Sequence, residues 1–96
     1  MKVEVVAELA QGFEGCVQQT KLMVKAAAMA GADAAKFQLI FADELSTPDY
    51  EHYKLFKTLE MADSDWMEVK HLCDELNVDL IFDVVGETGL SLAQEM

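Results

Sequence analysis

The chain has 96 residues, 52% of them hydrophobic and 26% charged, which is the composition of one small globular domain and not of a disordered segment. Asp and Glu outnumber Lys and Arg by 18 to 7, a net charge of -11. A nucleic-acid site or a basic membrane-surface helix needs a positive footprint, so both are excluded as a main role. No apolar run approaches the ~18 residues needed to span a bilayer. The start, Met1-Lys2-Val3-Glu4-Val5-Val6, carries neither the long apolar region nor the cleavage pattern of a secretory signal.

The chain opens on a Val-rich strand from Val3 to Leu9, followed by a loop punctuated by Gly12 and Gly15. That loop has neither the glycine spacing of a dinucleotide fingerprint nor the Gly-Lys-Ser/Thr of a P-loop. A helix is predicted from Cys16 to Ala30, with Leu22, Ala26 and Met29 as its apolar stripe and Lys21 and Lys25 on its wet face. Gly31 stands where a helix C′ residue belongs. Ala34 to Phe41 reads as a second strand. Thr47, Pro48 and Asp49 suit the cap and first turn of a helix running to Leu59. Asp63 is a candidate cap for a further helix with Trp66, Val69, Leu72, Cys73 and Leu76 on its apolar side, ended by Asn77. Val78 to Val85 reads as a third strand, Gly86 as a turn, and Glu87 to Met96 as a last helical segment.

Strands alternating with helices predict an α/β fold with a parallel sheet, strand order 1-2-3 and right-handed crossovers. The strands begin 31 and 44 residues apart. The first interval is that of one unit of a (β/α)8 barrel, roughly 250 residues over eight units. Val6, Ile40, Ile81 and Val85 would face a barrel interior, and Met96 falls inside a helical pattern with no stop signal. The expectation is a single unit over residues 1–96, the N-terminal three βα units of an incomplete TIM barrel, with open edges that favour a homo-oligomer. Cys16 and Cys73 lack metal or redox spacing and read as reduced thiols of a cytoplasmic protein. His52 and His71 read as surface residues, and Trp66 and Phe56 as packing.

Side chains alternate across a strand, so parity assigns faces. Ala35, Phe37, Leu39 and Phe41 form a wholly apolar face for the helices, leaving Lys36 and Gln38 opposite. Val3, Val5, Ala7 and Leu9 similarly leave Glu8 opposite, and Leu80, Phe82 and Val84 leave Asp83 opposite. Glu8, Lys36, Gln38 and Asp83 thus share one face and are expected toward the C-terminal half of their strands, the end at which barrels and open α/β sheets hold ligands. Such a set could orient a polar, anionic substrate. It could equally be a solvated face in which Lys36 pairs structurally with Glu8 or Asp83.

The same segments resemble the sialic acid synthase family. Ala7-Glu8-Leu9 is similar to its Ala-Glu-Ile opening. Ala30-Gly31-Ala32-Asp33-Ala34-Ala35-Lys36-Phe37-Gln38 closely resembles its Ala-Gly-Ala-Asp-Ala-Val-Lys-Phe-Gln signature, and Leu59-Glu60-Met61 before the Trp66 helix is also similar. The resemblance implies a (β/α)8 barrel that condenses phosphoenolpyruvate with an N-acylated amino sugar, usually N-acetylmannosamine, to a nine-carbon sialic acid. It implies a divalent metal, manganese or magnesium, polarising the sugar carbonyl, with metal ligands on later strands and none in this chain. By position, Glu8 matches a catalytic glutamate of the substrate and metal-water region. Lys36 matches a lysine that contacts phosphoenolpyruvate, Gln38 a glutamine near the sugar, and Asp83 a substrate-binding position near the anion. Members carry Gly-x-Asn-His-x-Gly where this chain has Ala10-Gln11-Gly12-Phe13-Glu14-Gly15, and Ser-Thr-Pro where it has Phe82-Asp83-Val84. The fragment alone is expected to be inactive. The alternatives are another phosphoenolpyruvate-using 3-deoxy sugar-acid synthase and a non-catalytic α/β assembly module.

Overall fold

The strand Ala34–Leu39, β2, has apolar residues on one face and Lys36 and Gln38 on the other. It lies between β1 (Val6–Ala10) and β3 (Asp79–Val84) in a parallel sheet of order β1-β2-β3. The computed structural model describes residues 2–96. Helix α1 (Val17–Met29) connects β1 to β2, and α4 (Asp63–Glu75) precedes β3. Two short helices, α2 (Ala42–Leu45) and α3 (Tyr53–Thr58), follow β2, and α5 (Glu87–Glu95) follows β3. The expected order of parallel strands and helices is what forms.

The core lies between the sheet and α1 and α4, and aromatic rings fill its centre. Trp66 from α4 is 1% exposed and meets Phe13, Phe37 and Phe82 edge-on, at ring-centroid separations of 5.2, 5.8 and 5.1 Å. Phe13 also meets Phe37 at 5.9 Å. Edge-to-face pairs of this kind contribute about 0.5–1.5 kcal/mol each beyond the area they bury. Phe13 comes from the loop after β1, so this cluster ties that loop to two strands and a helix.

The N-terminal ends of the strands are fastened by one aspartate. The Val5 N–H donates to Asp33 Oδ2 at 2.8 Å and Lys2 Nζ lies 3.1 Å from Oδ1. The Asp33 N–H donates to the Val5 carbonyl, and the Asp33 carbonyl accepts from the Asp79 N–H at 2.9 Å. The Val5 N–H, and after it the Lys2 ammonium, holds the Asp33 carboxyl below its ordinary range. Just before it, Gly31 adopts φ +89° and closes α1 with bonds from its own N–H to the Ala28 carbonyl and from Ala32 N–H to the Ala27 carbonyl. That is a Schellman cap, which wants glycine at the left-handed position. Asn77, at φ +56°, closes α4 in the same way.

Local structure departs from the sequence reading at several points. The first strand begins at Val6, so Val3 and Val5 lie beyond the sheet and are largely exposed. The buried face of α1 is Thr20, Val24 and Ala27, while Leu22 and Met29 are 64% and 89% exposed. Thr20 can occupy the core because its hydroxyl donates to the Cys16 carbonyl at 2.8 Å. No helix starts at Thr47. Its hydroxyl donates to Asp49 Oδ1, and the Tyr50 N–H bonds back to the Thr47 carbonyl, so Pro48 takes the second position of a β-turn. Ala62, not Asp63, is the N-cap of α4, and Asp63 lies in its first turn. Ile40 is only 3% exposed, because β2 ends at Leu39 and strand alternation no longer applies. Val6 and Val85 are exposed, as parity and an open sheet imply. No helix among the described residues is long and apolar enough to cross a membrane.

Two outcomes follow for stability and thiol chemistry. Trp66→Ala should lower the free energy of unfolding by about 3–5 kcal/mol in a denaturant titration, and a loss below about 1 kcal/mol would contradict the aromatic centre described. Burial pushes the Cys73 thiol up to about 11, whereas Cys16 is exposed. A disulfide-exchange reagent at pH 8 should therefore titrate one thiol per native chain and the second only on unfolding. Equal reaction rates for both would contradict the burial of Cys73.

Candidate functional site on the polar face of the sheet

Glu8 and Lys36 are register neighbours across β1 and β2, and Gln38 and Asp83 are register neighbours across β2 and β3. Parallel pairing puts each pair on one face. The Lys36 ammonium lies 3.3 Å from Asp83 Oδ1 and 3.6 Å from Glu8 Oε1. The lysine side chain is 30% exposed and the two acids about half exposed. Its ammonium is held above the ordinary lysine value, first by the hydrogen bond it donates to Asp83, then by the charges of Asp83 and Glu8. Three of the four residues singled out by alternation thus meet at one point. The fourth, Gln38, accepts a 2.7 Å hydrogen bond from Gln11 Nε2.

Gln11 is a member of this face that alternation alone does not reveal. The register of β1 against β2 slips between Glu8 and Ala10, leaving Leu9 as an extra residue. Ala10 then takes φ +49°. A bulge of this kind re-aims the side chains that follow it, and Gln11 arrives beside Gln38. A one-residue slip leaves no compositional trace, so only the non-glycine left-handed turn, itself invisible in sequence, marks the place. Phe13, two residues on, is fully buried against Trp66 and belongs to the core and not to the polar face.

Other polar clusters serve the fold. Lys2, Glu4, Asp33, Asn77 and Asp79 line a polar groove at the opposite, amino-terminal end of the strands. There Asp33 is already engaged with Val5 and Lys2. His71 is exposed on α4, and His52 pairs with Glu51 at 3.4 Å before α3. Among the described residues, no group of three or more His, Cys, Asp or Glu side chains could hold a metal ion. Glu8 and Asp83 each direct an oxygen at the Lys36 ammonium, so the place between them is taken by a cation of the chain itself. The residues present do not fit a divalent metal.

The fold recurs in known proteins. The sequence pattern of the NeuB family matches residues 23–95. An uncharacterised protein of Methanocaldococcus jannaschii is 31% identical over 77 residues, 80% of this chain and 23% of its own length. An N-acetylneuraminate-9-phosphate synthase of Drosophila melanogaster is 27% identical, covering 92% of this chain and 27% of its own. The crystal structure of N-acetylneuraminic acid (sialic acid) synthetase from Leptospira borgpetersenii serovar Hardjo-bovis in complex with citrate superposes with a TM-score of 0.90 at 23% identity. That match covers 99% of this chain and 33% of that one, and it shows the fold. The spore coat polysaccharide biosynthesis protein spsE of Bacillus subtilis gives a TM-score of 0.74 at 32% identity, over 97% of this chain and 26% of that one. The chain therefore spans about a quarter to a third of the length of these relatives. Its three parallel strands and helices have the fold of the N-terminal region of a sialic acid synthase barrel, and with most of its length matched by the family pattern, the chain belongs to the NeuB family.

Proposed function

We propose that this chain contributes the first part of a synthase site that joins phosphoenolpyruvate to an N-acylated amino sugar of the N-acetylmannosamine type, giving a sialic acid. The observation that carries the reading is Lys36 and Gln38 on the sheet's polar face with Glu8 and Asp83 beside them; Glu8 and Lys36 lie mid-strand, and Gln38 and Asp83 one residue before the strand ends. Family membership and similarity to an N-acetylneuraminate-9-phosphate synthase and a sialic acid synthetase support it.

Each residue has a definite chemical part in this reading. Lys36 is the cation of the group and would meet the phosphate or carboxylate of phosphoenolpyruvate. Gln38 and Gln11, joined by their own hydrogen bond, would offer amide donors and acceptors to sugar hydroxyls. Glu8, a carboxylate in the middle of β1, can accept a proton or orient the water that adds to the enol carbon as phosphate leaves. The divalent metal implied by the sequence resemblance would supply Lewis-acid polarisation, and its ligands would lie outside the residues described. These side chains provide binding, orientation and proton handling.

Built into the barrel of a synthase relative in place of the matching segment, the chain should support release of phosphate from phosphoenolpyruvate in the presence of the amino sugar. Lys36→Met in that protein should lower kcat/KM for phosphoenolpyruvate about ten- to a hundredfold, the loss of one charge-assisted contact. A melting temperature that shifts while the kinetic constants stay unchanged would make Lys36 a structural ion-pair residue and remove the support for the reading.

A further inference from the structure

All seven basic residues of the chain are lysines, and there is no arginine to offer an anion a two-pronged donor. Among the described residues, the ion pairs place Lys2 with Asp33, Lys21 with Glu68, Lys57 with Asp43 and Glu60, and Lys70 with Asp74. None of these acids belongs to the polar face. There, one ammonium, Lys36, stands between two carboxylates at 3.3 and 3.6 Å, so the trio carries an excess negative charge.

We infer that Asp83 sets the ligand selectivity of this face by competing with anions for Lys36. An incoming phosphate or carboxylate must share the ammonium with Asp83, or displace it, and in either case sit beside its negative charge. An uncharged, hydroxyl-rich ligand meets no such opposition, since Glu8, Asp83, Gln11 and Gln38 offer it acceptors and donors. The residue that tips the balance is at position 83, because Asp83 is the nearer acid. It also faces Gln38 across the register, within the same patch. It is half exposed, so exchanging it for a neutral residue of similar size leaves no buried polar group without a partner. The inference extends beyond the condensation, because it holds for any anion that needs Lys36.

The test is a titration of inorganic phosphate into the 96-residue chain, followed by amide NMR at fixed ionic strength. Asp83→Asn and Asp83→Ser should each bind phosphate about tenfold more tightly than the unsubstituted chain, as expected when one close opposing charge is removed from a partly solvated site. The shifts should centre on Lys36, and the double variant Asp83→Asn with Lys36→Met should lose the gain. Two aspartate variants whose spectra show an intact fold but whose phosphate affinity is unchanged would overturn the inference. So would a gain that survives in the double variant. A parallel titration with phosphoenolpyruvate separates the two readings. Equal affinity for phosphoenolpyruvate and phosphate in Asp83→Asn, with the gain intact, upholds the role of Asp83 while counting against the condensation.

Discussion

The Phe37 ring, packed edge-on against Trp66, decides which way the central strand faces. A strand has a side-chain period of two, so burying Ala35, Phe37 and Leu39 under the helices sends Lys36 and Gln38 to the opposite face. A slip of one residue would put the Lys36 ammonium into the aromatic layer, where an unpaired charge is very costly. The polar face is thus a consequence of the core. Asp33 fixes the other coordinate. By bonding Val5 on one side and Asp79 on the other, it sets the level at which the strands start. Glu8 then comes level with Lys36, and Gln38 with Asp83.

The run from Ala30 to Gln38 consequently has two halves with different work. Gly31 and Asp33 make the turn and anchor the sheet. Lys36 and Gln38 project from it. A family signature read as a single motif is here a structural knot followed by a polar surface. The loop after β1 shows a similar division. Gln11 joins the polar face and Phe13 the core, two residues apart, because the bulge at Leu9 breaks the alternation between them.

Much of this was legible in the sequence where burial on one side forces a period. Alternation in β2 was clean, and it alone placed Lys36 and Gln38, with Glu8 and Asp83 following from the neighbouring strands. The reading failed where a side-chain hydrogen bond outweighed hydrophobicity. Thr20 took a core position that Leu22 or Met29 would have claimed by size, since its hydroxyl is satisfied within the helix. Thr47 spent its hydroxyl on Asp49 and formed a turn in place of a helix cap. The apolar pattern up to Leu59 was real, but it begins only at Tyr53. Gln11 was hidden because a bulge has no sequence signature of its own.

The ion trio is the point where fold and chemistry meet, and the protonation of Lys36 reports on it directly. Asp83 and Glu8 raise the affinity of the folded chain for that proton. The stabilisation is complete below the ordinary lysine value and fades as pH rises through the higher, folded one. The decisive measurement is an NMR titration of the Lys36 side chain in the native chain and in Asp83→Asn. The account predicts a midpoint above the ordinary lysine value, moving back toward it when Asp83 is neutralised. A native midpoint at or below the ordinary value, or one indifferent to Asp83, would contradict it.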